Sequence, residues 1–202
     1  IGRIPDFYFQ AVGSGTGAIA AWEANIRLIE DGRFGKHKMK LIVSQNAPFL
    51  PMYNAWKADS RELLPYDDDQ ARLDAESIDA KVLSNRKPPY GIAGGLYDAL
   101  KDTDGDILKV TNEEARAAIN IFLATEGIDI YSAAGVATAS LIASVREGRV
   151  KPSDTVMLNI TGGGEKLFQQ GKTLWNLTPS LVFPLDPSPE EVVEKVEALF
   201  VR

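Results

Sequence analysis

Cysteine is missing from this sequence, and histidine occurs once, as His37. The first absence excludes disulfides, thiolate metal sites and a cysteine nucleophile, and the second excludes a multi-histidine metal centre. Basic residues are in the minority: 22 Lys and Arg stand against 28 Asp and Glu, for a formal net charge of −6. Nucleic acid is neutralised by clustered Lys and Arg, which no segment gathers here, so the expected partners include neither DNA nor RNA. No apolar run approaches the roughly 20 residues that cross a bilayer, so no membrane contact is expected. The opening "IGRIPDFYFQ" lacks the basic and apolar regions of a secretory signal. These absences leave a cytoplasmic globular chain of 202 residues, 45% hydrophobic, without repeats or low-complexity tracts. One sizeable core can be buried at that length, or at most two small ones.

Runs rich in β-branched and aromatic residues predict strands at 7–12, 40–44, 107–110, 128–131 and 155–160. Between them, residues 16–30 place Ile19, Trp22, Ile26 and Ile29 on one helical stripe, and 112–126 do the same with Ala115, Ala118, Ile119 and Phe122. Thr111 reads as an N-cap with Glu114 closing a capping box. Residues 133–147 form a further helix, and 189–200 another, with Ser188 as its N-cap and Pro189 in its first turn. Strands alternating with helices of this length predict an α/β fold, a three-layer sandwich around a mostly parallel sheet. One stretch breaks the rhythm. Residues 57–87 are polar and charge-dense with scattered apolar anchors, and read as an excursion over the surface.

The strongest chemical signal is the turn Gly13-Ser14-Gly15-Thr16-Gly17, between a strand and a helix. Glycines let backbone N–H groups converge on a ligand, and the helix N-terminus adds positive partial charge, so a phosphate is the expected occupant. The same turn also suits a tight connection that holds nothing. Gly13, Gly15 and Ala18 satisfy the loose dinucleotide pattern G-x-G-x-x-[GA], which requires an acid at the end of the next strand. That strand ends in "LIVSQNAP", with Gln45 and Asn46 in its place, which weakens the dinucleotide reading. A second cluster, Thr161 followed by Gly162, Gly163 and Gly164, closes the last strand. In a parallel sheet both clusters belong at the carboxyl ends of strands, where ligands sit, and they are expected to share one crevice.

Other residues invite chemistry less strongly. Arg86 and Lys87, in "SNRKPPYG", could attract anionic substrates. Lys166 follows the second glycine cluster but reads as a surface lysine. Trp22 and Trp56 read as core, and His37 as exposed. Asp67, Asp68 and Asp69 imitate a metal cluster without useful ligand spacing, so no metal site is expected.

The residues assembled above resemble a known family. "YFQAVGSGTG" and "LNITGGG" are similar to the pyridoxal-phosphate enzymes of the threonine-synthase group, or fold type II. With "AWEAN", "RLIEDGRFG", "SNRKPPY" and "EGIDI", the likeness is strongest to the branch that makes L-cysteate, and it covers nearly the whole chain. The resemblance implies pyridoxal 5'-phosphate as cofactor, O-phospho-L-serine and sulfite as substrates, phosphate as leaving group, and a role in coenzyme M biosynthesis. It implies that Gly13, Ser14, Gly15, Thr16 and Gly17 cradle the cofactor phosphate and that Thr161 meets the pyridine nitrogen. Ser84 and Asn85 would line the cofactor, more loosely matched, with Arg86 and Lys87 nearby for substrate. It implies a homodimer for the parent protein.

In this family the Schiff-base lysine and the small domain lie upstream of the first glycine turn, and no lysine here stands in the expected context. Residues 1–202 are therefore expected to be the C-terminal half of the cofactor-binding large domain, inactive alone and containing no catalytic residue. A threonine synthase acting on O-phosphohomoserine is the nearest alternative, and a dinucleotide-binding module or an inert packing fragment the more distant ones.

Overall fold

The computed structural model describes residues 1–175, 177–184 and 186–200, in two compact units, Ile1–Phe168 and Gln169–Arg202. Along the first unit run β1 (Phe7–Ala11), α1 (Thr16–Asp31), β2 (Lys40–Asn46), α2 (Pro51–Lys57), α3 (Asp68–Ser77) and α4 (Leu96–Asp102). They are followed by β3 (Asp106–Val110), α5 (Asn112–Glu126), α6 (Ser132–Arg146), β4 (Val156–Leu158) and the short α7 (Glu165–Gln169). The described strands form one parallel sheet in the order β3-β2-β1-β4. Parallel pairing forces each connection to cross back over a face, so every strand delivers its following loop to the same end of the sheet.

Alternation along β1 sends Tyr8 and Val12 to one face and Phe7, Phe9 and Ala11 to the other. On the first face α1, α2 and α4 bury Ala18, Met52, Ala55, Leu96, Ala99 and Leu100 against Tyr8, Leu41, Val43 and Ile107. On the opposite face α6 lies between the sheet and α5. It is buried almost all round, from Ala133 through Ser140, which explains its small, evenly apolar composition. Its close approach to α5 requires Gly135, where a Cβ would stand 2.6 Å from Ile119 Cγ1.

The α5 N-terminus carries the full capping box: the Glu114 amide donates to Thr111 Oγ1 at 3.2 Å, and the Thr111 amide to Glu114 Oε2 at 2.8 Å. In the second unit, α8 (Pro189–Ala198) is capped by Ser188 Oγ, which accepts the Glu191 amide at 3.1 Å.

Two expectations from sequence need correction. Residues 128–131 are not a strand of the sheet. They connect α5 to α6, with Ile130 making a single antiparallel bridge to Gly163 and Tyr131 serving as the α6 N-cap. Composition suggested extension there, but the segment pairs only through that one bridge and joins no strand of the sheet.

The stretch 57–87 is also more ordered than a surface excursion. Asp67 Oδ1 accepts the Gln70 amide at 2.9 Å, Asp68 and Asp69 occupy the first turn of α3, and the three acids thus serve a helix N-terminus. Ala71 and Ile78 join Phe49 in a small core, and Ala80 and Leu83 enter the core under α6. Among α3 residues only Ala71 is buried, so the helix leaves almost no hydrophobic periodicity to read.

Candidate functional site

The first glycine turn leaves β1 at the carboxyl end of the sheet and opens α1 with Gly15 in a left-handed conformation, φ 84°. The first α1 hydrogen bond of the turn runs from the Ile19 amide to the Gly15 carbonyl at 3.0 Å, so the amides of Thr16, Gly17 and Ala18 precede the helical ladder. Five described helices, α3, α4, α5, α7 and α8, carry an acid in the first turn, whereas α1, like α2 and α6, has none there and no side-chain cap. Its positive end therefore carries no acidic side chain of its own. Ser14 Oγ and Thr16 Oγ1 lie 2.9 Å apart beside these amides.

Close packing dictates the glycines. A Cβ on Gly13 would stand 3.0 Å from the Val82 carbonyl oxygen, and one on Gly15 2.9 Å from Leu96 Cδ2. The Gly13 contact places the 3-10 turn Lys81–Leu83, and Ser84 just after it, beside the phosphate-type turn. Ser84 Oγ donates to the Lys81 carbonyl at 2.7 Å, and Asn85 Oδ1 accepts the Lys87 amide at 2.9 Å. Both side chains shape this loop.

The second cluster leaves β4, the sheet neighbour of β1, at the same end. Thr161 is exposed there. Gly162 sits under the Tyr131 ring, where a Cβ would come within 2.7 Å of Cδ2. The buried Asp129 holds the rest: its carbonyl accepts the Gly164 amide at 2.7 Å and its Oδ2 the Lys166 amide at 3.1 Å. Tyr131 donates to Glu165 Oε2 at 2.7 Å, and that carboxylate, with some burial, holds its phenol above the ordinary range.

Between the two turns runs a polar chain that composition did not disclose. Asn159 Nδ2 donates to the Tyr8 hydroxyl at 2.8 Å, and that hydroxyl donates to Gln10 Oε1 at 2.8 Å. The Gln10 carboxamide nitrogen lies under Gly17. Burial raises the Tyr8 pKa against the lowering effect of Asn159. The one available signal was a glutamine within the apolar run "FYFQAV".

Arg86 and Lys87 follow Ser84 and Asn85 in the same loop. They line a cavity of about 200 Å³ with Phe49, Leu63, Tyr66 and Asp68, and Arg86 pairs with Asp68. Gln45 and Asn46 serve the fold: Gln45 Oε1 accepts the Tyr53 amide at 2.8 Å, and Asn46 links Val110, Asn112 and Ala80. Trp22 and Trp56 are half-buried, with indole N–H groups on Asp102 and Asp106, both at 2.8 Å. His37 is exposed. Among the described residues no group of three or more His, Cys, Asp or Glu could hold a metal ion, and no helix is long and apolar enough to cross a membrane.

The amides ahead of the α1 ladder, the hydroxyl pair, the absence of a first-turn acid and the glycines that a Cβ would fill fit a phosphate-bearing cofactor. A family model described as "Pyridoxal-phosphate dependent enzyme" matches residues 1–162. Cysteate synthases of Methanosarcina barkeri and Methanosarcina mazei are each 52% identical to the chain, over 180 and 182 residues. The matches cover 89% and 90% of this chain but 43% and 44% of those proteins, so the chain spans under half of their length. Among solved structures, a T.th. threonine deaminase superposes with a TM-score of 0.56 at 14% identity, over 87% of this chain and 52% of that one. That likeness carries the fold, a fold type II arrangement, and the family match carries the cofactor class. The chain belongs to the pyridoxal-phosphate dependent enzymes.

Proposed function

We propose that this chain forms the cofactor-phosphate half of a cysteate synthase, which replaces the phosphate of O-phospho-L-serine with sulfite to give L-cysteate and inorganic phosphate. The observation that carries the reading is the turn 13–17: an acid-free helix N-terminus at the carboxyl end of β1, on the same side of the sheet as Thr161. Similarity to proteins named cysteate synthase supports the reaction.

In this reading the amides of residues 13–17, with the Ser14 and Thr16 hydroxyls, hold the cofactor phosphate through charge-assisted hydrogen bonds. Thr161 offers its hydroxyl to the ring nitrogen. The neutral hydroxyl leaves that nitrogen without a carboxylate partner. When bound, pyridoxal phosphate supplies the electron sink that loosens the Cα proton and lets the β-substituent exchange. Ser84 and Asn85 wall the crevice beside Gly13. Arg86 meets the anionic substrates from the neighbouring cavity by exchanging Asp68 for a phosphate or sulfite oxygen. No lysine of this chain is assigned the covalent role, and the whole enzyme is read as a homodimer.

The test uses a polypeptide carrying this chain within the full length of its relatives. Release of phosphate from O-phospho-L-serine should require both sulfite and pyridoxal phosphate, with cysteate detected by mass spectrometry. Release from O-phosphohomoserine alone would assign a threonine synthase instead. Tight binding of a nicotinamide dinucleotide, with no effect of pyridoxal phosphate, would overturn the cofactor class.

A further inference from the structure

We propose that Tyr8, Gln10 and Asn159 are positioning residues that tie the two glycine turns to each other, so that an anion held by the first turn is kept in register with Thr161. The proposal rests on the reading of residues 13–17 as the cofactor-phosphate site.

Tyr8 and Gln10 are 5% and 9% exposed and lie on a sheet face packed mostly with apolar side chains. Burying two polar groups there is unfavourable unless each is satisfied, and the half-buried Asn159 completes the set. Their order is directional. The Asn159 amide donates to the Phe9 carbonyl at 2.9 Å, which seats the residue that begins the second turn against β1. Its Nδ2 then donates to the Tyr8 hydroxyl, leaving the phenolic proton for Gln10 Oε1. With that oxygen engaged, the carboxamide nitrogen is turned toward Gly17, in the first turn of α1.

The phenolic hydroxyl accepts at one side and donates at the other, so phenylalanine at position 8 would break both links while keeping the ring. The chain of contacts thus runs from the residue preceding Ile160 and Thr161 to the helix turn whose amides face the anion. Its effect is on where the two turns stand.

The experiment titrates inorganic phosphate and pyridoxal 5'-phosphate into the chain and its Tyr8→Phe variant, following backbone amide shifts. In the wild type, both probes should move the amides of residues 13–17, and pyridoxal phosphate also those of 161–164. In the variant, phosphate affinity should stay within about twofold, while the preference for pyridoxal phosphate over phosphate falls about fivefold and the shifts at 161–164 shrink. A merely structural role would weaken both probes alike. Gln10→Met breaks the same tie from its other end and replaces Tyr8→Phe should that variant fail to fold. Unchanged preference in a folded variant overturns the tie and leaves the phosphate site standing. Wild-type amides at 13–17 that ignore both probes overturn both readings.

Discussion

The α-carbon of Gly17 rests on the carboxamide of Gln10, so closely that any β-carbon there would collide with it. Gly17 lies within the first turn of α1, where alanine would ordinarily be favoured over glycine by about 1 kcal/mol. The collision should reverse that preference. Gly17→Ala is expected to destabilise the chain by roughly 1–2 kcal/mol in urea unfolding, because Tyr8 holds the carboxamide in place. In a Gln10→Ala background the same substitution should become neutral or stabilising. A Gly17→Ala variant more stable than the wild type would show that Gln10 gives way freely.

Asp106 joins three elements at the amino end of the sheet. Its Oδ1 accepts from Trp56 Nε1 and Lys57 Nζ, and its Oδ2 from Arg149, each at 2.8 Å. Burial pushes this carboxyl upward, but the bonds to Lys57, Arg149 and Trp56 outweigh it and hold the pKa below the usual range. A depressed folded-state value contributes stability above the unfolded value, near 4, that is lost as pH falls through the folded one. Asp106→Asn should cost roughly 1–3 kcal/mol at pH 7, with the gap from wild type narrowing below about pH 4. Denaturant curves at both pH values would reveal it, and a gap that widens in acid would contradict the assignment.

Removing one half of the α5 capping box has a local consequence. Thr111→Ala leaves the Glu114 amide without its side-chain acceptor and should lower stability by about 1 kcal/mol. Amide exchange in the first turn of α5 should quicken while exchange at β1 changes only with global stability. Uniform acceleration across the sheet would mean that α5 frays only when the whole unit opens.

Arg86 offers the clearest kinetic prediction for the full-length enzyme. If its guanidinium leaves Asp68 for the substrate anion, Arg86→Gln should raise KM for O-phospho-L-serine about tenfold and lower kcat/KM by at least as much, since the lost contact is to the leaving phosphate or the attacking sulfite. An unchanged KM would put the anion's partner elsewhere.

Much of this organisation could be read along the chain because its causes are local. The Thr111–Glu114 capping box spans three residues, and the strand-to-helix turn at 13–17 announces itself through glycines that neither a strand nor a helix interior favours. The shared sheet end of both glycine turns followed from the parallel αβ alternation alone. Short elements were harder. Helices α2 and α4 are each 7 residues long and offer too few turns for a periodic signal, and α3 buries little of its surface. The run at 128–131 had the composition of a strand, but pairing depends on a neighbouring edge that composition does not reveal.

Sequence by itself determined the fold class, the glycine turns and the chemistry they invite, since these depend on residue types at fixed short spacings. Only the tertiary structure decided which polar side chains stand between those turns. Tyr8 and Asn159 are 151 positions apart, and their hydrogen bond exists because β1 and β4 become neighbours in the sheet. The same holds for Arg86, whose pairing with Asp68 in the first turn of α3 spans 18 positions. Contacts of this kind are set by how elements pack, and no local pattern encodes them.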